Sequence, residues 1–217
     1  MPPSSAGALA PLPYPVAVVD CETTGLSSED EILELAVVLL DAQLRVETTW
    51  TSLIRPAGGV GATHIHGIRE EDVAQAPSFR GVAGELASLL DGRLLAAHWA
   101  RFDARFLAQE CARFHVKLPS HESWTLCTCE HARTVFPDLD SHSLARCAEH
   151  CGIEHQYRHS ALGDALATAE LLRALHQRVP FDCHALHPLP WAELVGSVQP
   201  AEAPLSRYAW THGGSCE

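Results

Sequence analysis

The sequence predicts an α/β fold built as one domain with tails. Short runs rich in Val, Leu and Ile alternate along the chain with longer amphipathic segments, the pattern of strands followed by helices. A chain of 217 residues with 47% hydrophobic content can also bury one substantial core. The elements we expect are strands at about 16–20, 32–40, 46–54 and 94–97, with helices near 79–90, 102–114, 126–135, 142–151 and 161–178.

The two ends of the chain differ in composition from the middle. Residues 1–13 are rich in Pro, Ala and Ser and are predicted to be a flexible leader; without a basic residue or a sustained apolar core they do not form a signal peptide. Residues 14–178 form the predicted domain. Residues 179–217 are predicted to be irregular and rich in Pro and aromatic residues, a segment that either docks a partner or packs back on its own domain.

The eight cysteines do not have the spacing of a zinc module. We therefore favour reduced thiols in a cytoplasmic protein, and no stretch of sequence is long enough to span a membrane. A less favoured alternative is a metal site in the C-terminal part of the chain, formed by His176, Cys183, His184 and His187.

The first candidate site follows the apolar run 14–19, which is typical of a central strand. Asp20 and Glu22 come at its end and point to the same side of the strand, because side chains alternate with a period of two. Taken alone, such acids are often no more than turn residues. Their significance depends on the acids elsewhere in the chain.

Two more carboxylates lie in predicted helices. Asp103 falls in the first turn of a helix that follows a short apolar strand, a place where the macrodipole alone can favour an acid. Asp164 lies among small and apolar residues, and a buried carboxylate must be paired or bound to metal. His159 precedes this second helix, where a histidine is more often a cap than a catalyst.

These segments resemble the Exo I, Exo II and Exo III motifs of the DnaQ-type (DEDDh) 3'-5' exonucleases, the family of the bacterial polymerase III epsilon proofreading subunit and the TREX enzymes. The resemblance covers roughly residues 14–178, with the motifs in order. It extends to the intermediate segments 32–36, 63–68, 141–147 and 152–153. It implies a ribonuclease H-like exonuclease fold with a central mixed five-stranded sheet flanked by helices.

The resemblance also implies a catalytic site. Asp20, Glu22, Asp103 and Asp164 would hold two divalent ions, which serve both ends of an in-line displacement at phosphorus. Oxygen ligands favour Mg²⁺ or Mn²⁺ over zinc. His159 stands in the family's position for the general base and would take a proton from the attacking water.

Residues that would bind the terminal nucleotides are implied in the same way. Apart from Trp99, they are Thr23, Thr24, Gly25, Leu26, His66 and Phe102, with Leu26 as an apolar wedge between the last two bases. Leu26 and Phe102 could instead be core residues. Trp99 stands where the family usually has Asn, so it either stacks on a base or covers the edge of the core, and the sequence slightly favours the core edge.

The expected activity is 3'-5' removal of nucleoside monophosphates from single-stranded or frayed DNA ends, as in proofreading, replication or repair. The net charge of −12 is unusual for a nucleic-acid binder, and only Arg101, Arg105, Arg113 and Lys117 form a basic cluster. We therefore expect weak contact with strand ends, or a DNA polymerase subunit as a partner that holds the substrate. The alternatives are an RNA-trimming exoribonuclease of the same superfamily and a noncatalytic interaction module.

Overall fold

The computed structural model describes residues 9–156 and 159–195. The central strand of its sheet is β1 (Val16–Thr23). The other strands are β2 (Ile32–Leu40), β3 (Val46–Leu53), β4 (Leu94–Ala97) and β5 (Thr125–Cys127). The helices are α1 (Thr63–His66), α2 (Glu70–Val73), α3 (Phe79–Leu90), α4 (Ala100–Ala112), α5 (Thr128–Val135), α6 (Leu144–Cys151), α7 (Ala161–Arg178) and α8 (Trp191–Val195).

The sheet is mixed, in the order β3-β2-β1-β4-β5. β2 runs antiparallel to β1 and β3, whereas β4 is parallel to β1 and β5 is parallel to β4. The parallel pairs place the carboxyl end of β4 beside that of β1, so the two segments that follow these strands start at the same edge. The predicted mixed five-stranded sheet flanked by helices is confirmed.

The two faces of β1 serve different layers of helices. Val16 and Val18 pack on one face against α7, which lies across β1 and β2. Ala17, Val19 and Cys21 belong to the core on the other face, with α3 and α4. The alternation therefore continues into the acidic end of the strand, with Cys21 on the α4 side and its two acidic neighbours on the α7 side.

One strand was missing from the sequence-based expectation. β5 consists of three residues, Thr125–Cys127, and occupies the beginning of the helix predicted over 126–135, so α5 begins only at Thr128. Such a short run carries too little alternation to be separated from the helix that follows it. Its pairing with β4 supplies the regularity that the local sequence lacks.

The chain flanking the predicted domain also contacts it. Leu12 is buried and its N–H donates to the carbonyl of Ala42, so the packed fold includes residues ahead of position 14. After α7, Phe181 and Cys183 pack with the α7 side of the sheet. Trp191 of α8 is fully buried and meets the ring of Trp124 edge to face, with centroids 5.7 Å apart. Residues 1–8 and 196–217, which include the rest of the predicted leader and C-terminal segment, lie outside the described residues.

No helix among the described residues is long and apolar enough to cross a membrane.

Replacing Trp191 by Ala should cost about 3–5 kcal/mol of unfolding free energy, because a large buried ring leaves a cavity against α3 and Trp124. Urea denaturation followed by circular dichroism measures this loss. Trp99→Ala is the matched control, since 62% of that residue is exposed and its removal should change stability by no more than about 0.5 kcal/mol. Equal effects of the two substitutions would contradict the placement of α8.

Candidate active site

Three carboxylates meet at the carboxyl end of β1. Asp20 and Glu22 are half-buried on the face of the strand that α7 covers, and Asp164 reaches them from the first turn of that helix. One ligand oxygen from each of the three acids lies within 4.8 Å of the other two. Acids from opposite ends of the sequence are thus brought within the reach of a single cation.

Asp103 is the fourth predicted acid, and it approaches from the other face of the sheet. It lies in the first turn of α4, is almost fully buried, and accepts a hydrogen bond from the Cys21 thiol at 3.3 Å. Burial raises the pKa of Asp103 to about 7. Asp103 is not part of the three-acid group, but its charge is the largest electrostatic contribution raising the pKa of Asp20.

The pKa of Asp20 is raised well above its usual value. Burial is the first cause, and the charges of Asp103, Asp164, Glu22 and Glu34 add to it in that order. Repulsion of this kind makes the anionic form unfavourable when no cation is nearby. A divalent cation would reverse the effect, so the donor set, oxygen only and crowded with negative charge, fits a hard ion such as Mg²⁺ or Mn²⁺.

The position of Asp164 depends on how α7 begins. Ser160 is the N-cap, and its hydroxyl accepts a hydrogen bond from the N–H of Gly163, a favourable start for a helix. Asp164 then lies in the first turn, where the helix dipole stabilises negative charge. One of its oxygens is 2.5 Å from Nε2 of His155, a side chain that is only 6% exposed.

Sequence reasoning overlooked His155 and selected His159. Both precede α7, and the ring of His155 contacts the Asp164 carboxylate. His159 is exposed and has a left-handed backbone, with φ of 61°, immediately before the N-cap. The signal available in the sequence was a pair of histidines shortly before the Exo III-like helix, from which only the second matches the family motif.

Glu34 is a further acid whose role the sequence did not indicate. It lies opposite Glu22 in the β1–β2 register and is completely buried. Its Oε2 accepts a hydrogen bond from the N–H of Ala161, the first residue of α7, at 3.2 Å. This contact ties the start of the helix that carries Asp164 to the strand beside β1.

The residues after Glu22 form a tight loop. The Thr23 hydroxyl donates to the carbonyl of Gly25, and the Thr24 hydroxyl donates to Asp30 and accepts from the N–H of Glu31. A Cβ at Gly25 would lie 2.6 Å from an Asp30 oxygen, so a larger residue there would displace the carboxylate that Thr24 contacts. Both threonine hydroxyls therefore hold the loop itself.

The remaining predicted strand-binding residues differ in exposure. Leu26 is 74% exposed, so the core alternative for it is wrong, and exposed Trp99 does not cover the edge of the core either. Phe102 is half-buried against Phe106, with ring centroids 4.8 Å apart. His66, in contrast, is buried, and its Nδ1 accepts a hydrogen bond from the N–H of Ile68. An exposed residue of the same helix is Ile65, which the sequence did not single out.

Within residues 9–156 and 159–195, only the group of Asp20, Glu22 and Asp164 has the spacing of a metal site. The C-terminal histidine and cysteine alternative is wrong for this part of the chain. His176 contributes both ring nitrogens to backbone hydrogen bonds, one with the carbonyl of Ala10 and one with the N–H of Phe181.

A mixed sheet with acids converging at the end of its central strand is the architecture of nucleases with a ribonuclease H-like fold. The chain matches the exonuclease family model named for RNase T over residues 17–172. It therefore belongs to this exonuclease family.

Its relatives are mostly much longer proteins. The chain is 32% identical over 168 residues to a protein of Bacillus subtilis named 3'-5' exonuclease DinG, an alignment that covers 74% of this chain and 18% of that protein. It is 29% identical over 157 residues to the DNA polymerase III subunit epsilon of Aquifex aeolicus, covering 71% of this chain and 76% of the relative. The chain spans between 11% and 24% of the length of the first four curated relatives it matches.

The fold is shared with solved structures. The nuclease domain of 3'hExo, a DEDDh family member, bound to rAMP aligns with a TM-score of 0.67 and 21% identity, covering 77% of this chain and 94% of that domain. At this identity the likeness establishes the ribonuclease H-like fold.

Replacing Asp103 by Asn should change how the stability of the metal-free protein depends on pH. The folded state keeps the Asp103 proton up to about pH 7, whereas the unfolded chain releases it near about pH 3.9. As pH rises between these values, the folded state loses stability relative to the unfolded state. In buffer that contains a chelator, the melting temperature of the variant should exceed that of the wild type at about pH 8. The difference should shrink or reverse at about pH 5.

Asp138→Asn, which removes an exposed carboxylate, is the control and should show no such pH-dependent difference. A difference between Asp103→Asn and the wild type that is the same at both pH values would contradict the raised pKa.

Proposed function

We propose that the protein is a 3'-5' exonuclease that depends on two divalent ions and releases nucleoside monophosphates from single-stranded or frayed DNA ends. The observation that carries the proposal is the convergence of Asp20, Glu22 and Asp164 within 4.8 Å at the end of β1, in a chain of the exonuclease family. The names of its relatives support the polarity and the DNA substrate, since one is named a 3'-5' exonuclease and another a DNA polymerase III subunit.

The ions would be held by Asp20, Glu22, Asp103 and Asp164, and Mg²⁺ or Mn²⁺ suits these oxygen donors best. When bound, the ions neutralise charge that develops on the attacking and leaving oxygens. The protein itself keeps the acids in place. Cys21 holds Asp103, and His155 holds Asp164.

His159 is proposed as the general base. His155 contacts Asp164 and is largely shielded from solvent, whereas His159 is exposed to solvent immediately before the N-cap of α7, the helix that carries Asp164. A neutral imidazole has a proton affinity suited to this step. His155 is then the positioning residue and His159 the catalytic one.

Exposed apolar side chains around the acids suit an unpaired strand. Leu26 follows β1, and Trp99 precedes α4, so both lie at the edge of the sheet where the acids meet. Base stacking on an exposed ring contributes about 1–3 kcal/mol. We propose that Trp99 stacks on a base and that Leu26 lies between the last two bases.

The alternatives predict different measurements. The carboxylates do not distinguish sugars, so matched DNA and RNA oligonucleotides must be compared to separate a deoxyribonuclease from an exoribonuclease. A noncatalytic module has no use for acids whose burial and mutual repulsion raise the pKa of Asp20. A DNA polymerase subunit as partner is proposed from the epsilon relative alone.

His159→Ala should lower kcat by about 10²-fold to 10⁴-fold, as expected when a general base is lost, with divalent-ion binding retained in calorimetry. His155→Ala should instead weaken ion binding, by about 10-fold to 100-fold, because it releases a carboxylate ligand. His184→Ala is the control, since it is exposed beyond the far end of the 18-residue helix α7. Loss of ion binding in the His159 variant would assign that residue to the coordination shell.

Digestion of DNA should be fastest for single strands, slower for mismatched 3' ends and slowest for fully paired ends. The terminal phosphodiester must leave the duplex to reach the acids, and opening each base pair costs about 1–2 kcal/mol. Rates on three oligonucleotides of identical sequence, measured by release of mononucleotides, test this order. Blunt duplex digested as fast as the single strand would refute it.

A further inference from the structure

The outer face of α4 is bonded to the connection between β1 and β2. Arg105, Gln109 and Arg113 follow one another at successive helical turns and so form a single stripe. Arg105 Nη2 donates to the carbonyl of Leu26 at 3.1 Å, and Gln109 Nε2 donates to the carbonyl of Ser28 at 2.9 Å.

The third member of the stripe, Arg113, reaches the end of the same connection. Its guanidinium forms an ion pair with the carboxylate of Glu31 and donates to the carbonyls of Glu29 and Asp30 at 3.5 and 3.4 Å. On the other side of the connection, Glu31 accepts from the N–H of Ala57 at 2.7 Å. The connection is therefore held from both sides.

The place of Arg105 is fixed as well. Its guanidinium carbon lies 5.5 Å from the centroid of the Phe102 ring and 4.8 Å from that of Phe106. A cation held over aromatic rings while donating to a carbonyl is set in one direction. The basic cluster that the sequence offered for DNA binding is thus, at Arg105 and Arg113, committed to the protein's own loop.

We propose that Arg105, supported by Gln109, is a positioning residue that sets the Leu26 side chain against the substrate strand. Asp103 and Arg105 belong to the same helix, so α4 fixes both a carboxylate of the acidic cluster and the loop that carries Leu26. This inference rests on the proposed nuclease function. It explains how the same site would favour a strand with two or more bases.

A loop held in its binding position loses little conformational entropy when the strand arrives. Releasing it should therefore weaken strand binding more than the chemical step. The effect should be absent for a substrate without a second base, because Leu26 then has no pair of bases to lie between.

The test compares Arg105→Gln with Arg101→Gln. Both remove one positive charge from α4, and Arg101 is exposed one turn earlier on the same stripe without donating to the loop. We expect Arg105→Gln to raise KM for a single-stranded oligonucleotide by about tenfold, against a change of less than about threefold for Arg101→Gln. Hydrolysis of thymidine 5'-phosphate p-nitrophenyl ester, which has one base, should be the same in both.

A double-mutant cycle with Leu26→Ala separates positioning from attraction of DNA. If Arg105 acts through Leu26, the double variant is no worse than the worse single variant. If Arg105 instead contacts a phosphate, the effects add and the salt dependence of KM becomes weaker by about one counterion. Additive effects, or equal KM values for the two arginine variants, overturn the proposal.

If Arg105→Gln does not fold, Gln109→Met tests the same proposal, because it removes the hydrogen bond that Gln109 donates to the Ser28 carbonyl without changing charge. It should raise KM for the oligonucleotide and leave the nitrophenyl ester reaction unchanged; an unchanged oligonucleotide KM overturns the proposal. A wild-type protein that cleaves neither substrate refutes the proposed function itself, which is a different outcome from failure of this inference.

Discussion

The crowding of carboxylates at the end of β1 is the constraint on which the rest of the site depends. Burial raises the pKa of both Asp20 and Asp103, and the charges of the neighbouring acids raise the pKa of Asp20 further, so the acids would move apart unless the fold held them. Donors from three directions prevent this: the Cys21 thiol on Asp103, the His155 ring on Asp164 and the N–H of Ala161 on Glu34. A divalent cation placed among these acids would reduce the repulsion between them.

The sheet delivers the acids through the two faces of one strand. Even-numbered positions of β1 face α7, which brings Asp164 to Asp20 and Glu22. The odd-numbered Cys21 faces α4, which brings Asp103 to the same edge from the opposite face of the sheet. A shift of β1 by one residue would exchange these faces and separate the acids, so the register with β2 and β4 is as important to the site as the acids themselves.

The sequence predicted the features that depend on local hydrophobic periodicity and on ordered motifs. These are the sheet with its flanking helices, and the acids at the end of β1 and in the first turns of α4 and α7. It missed β5, which is too short to show alternation and is defined by its pairing with β4. It missed His155 and Glu34, whose roles arise from contacts with Asp164 and Ala161 that no sequence motif indicates. The sequence left Leu26 open and slightly favoured the core edge for Trp99, although both are exposed, because an apolar residue in a loop has no periodic neighbours to indicate which way it faces.

Charge and geometry together support the proposal that the site binds an unpaired strand end. The chain carries a net charge of −12, and in the β1–β2 connection Arg105 already donates to the carbonyl of Leu26 while Arg113 forms an ion pair with Glu31. Little positive surface therefore remains on α4 to contact the phosphates of a duplex. Such contacts supply most of the affinity of nonspecific nucleic-acid binders. In the proposed function, attraction would come from ions held by the acids and from exposed apolar side chains such as Leu26 and Trp99. Both would act on a phosphate and bases that have left the duplex, so we propose that the features that weaken binding to a duplex also select the end of a strand.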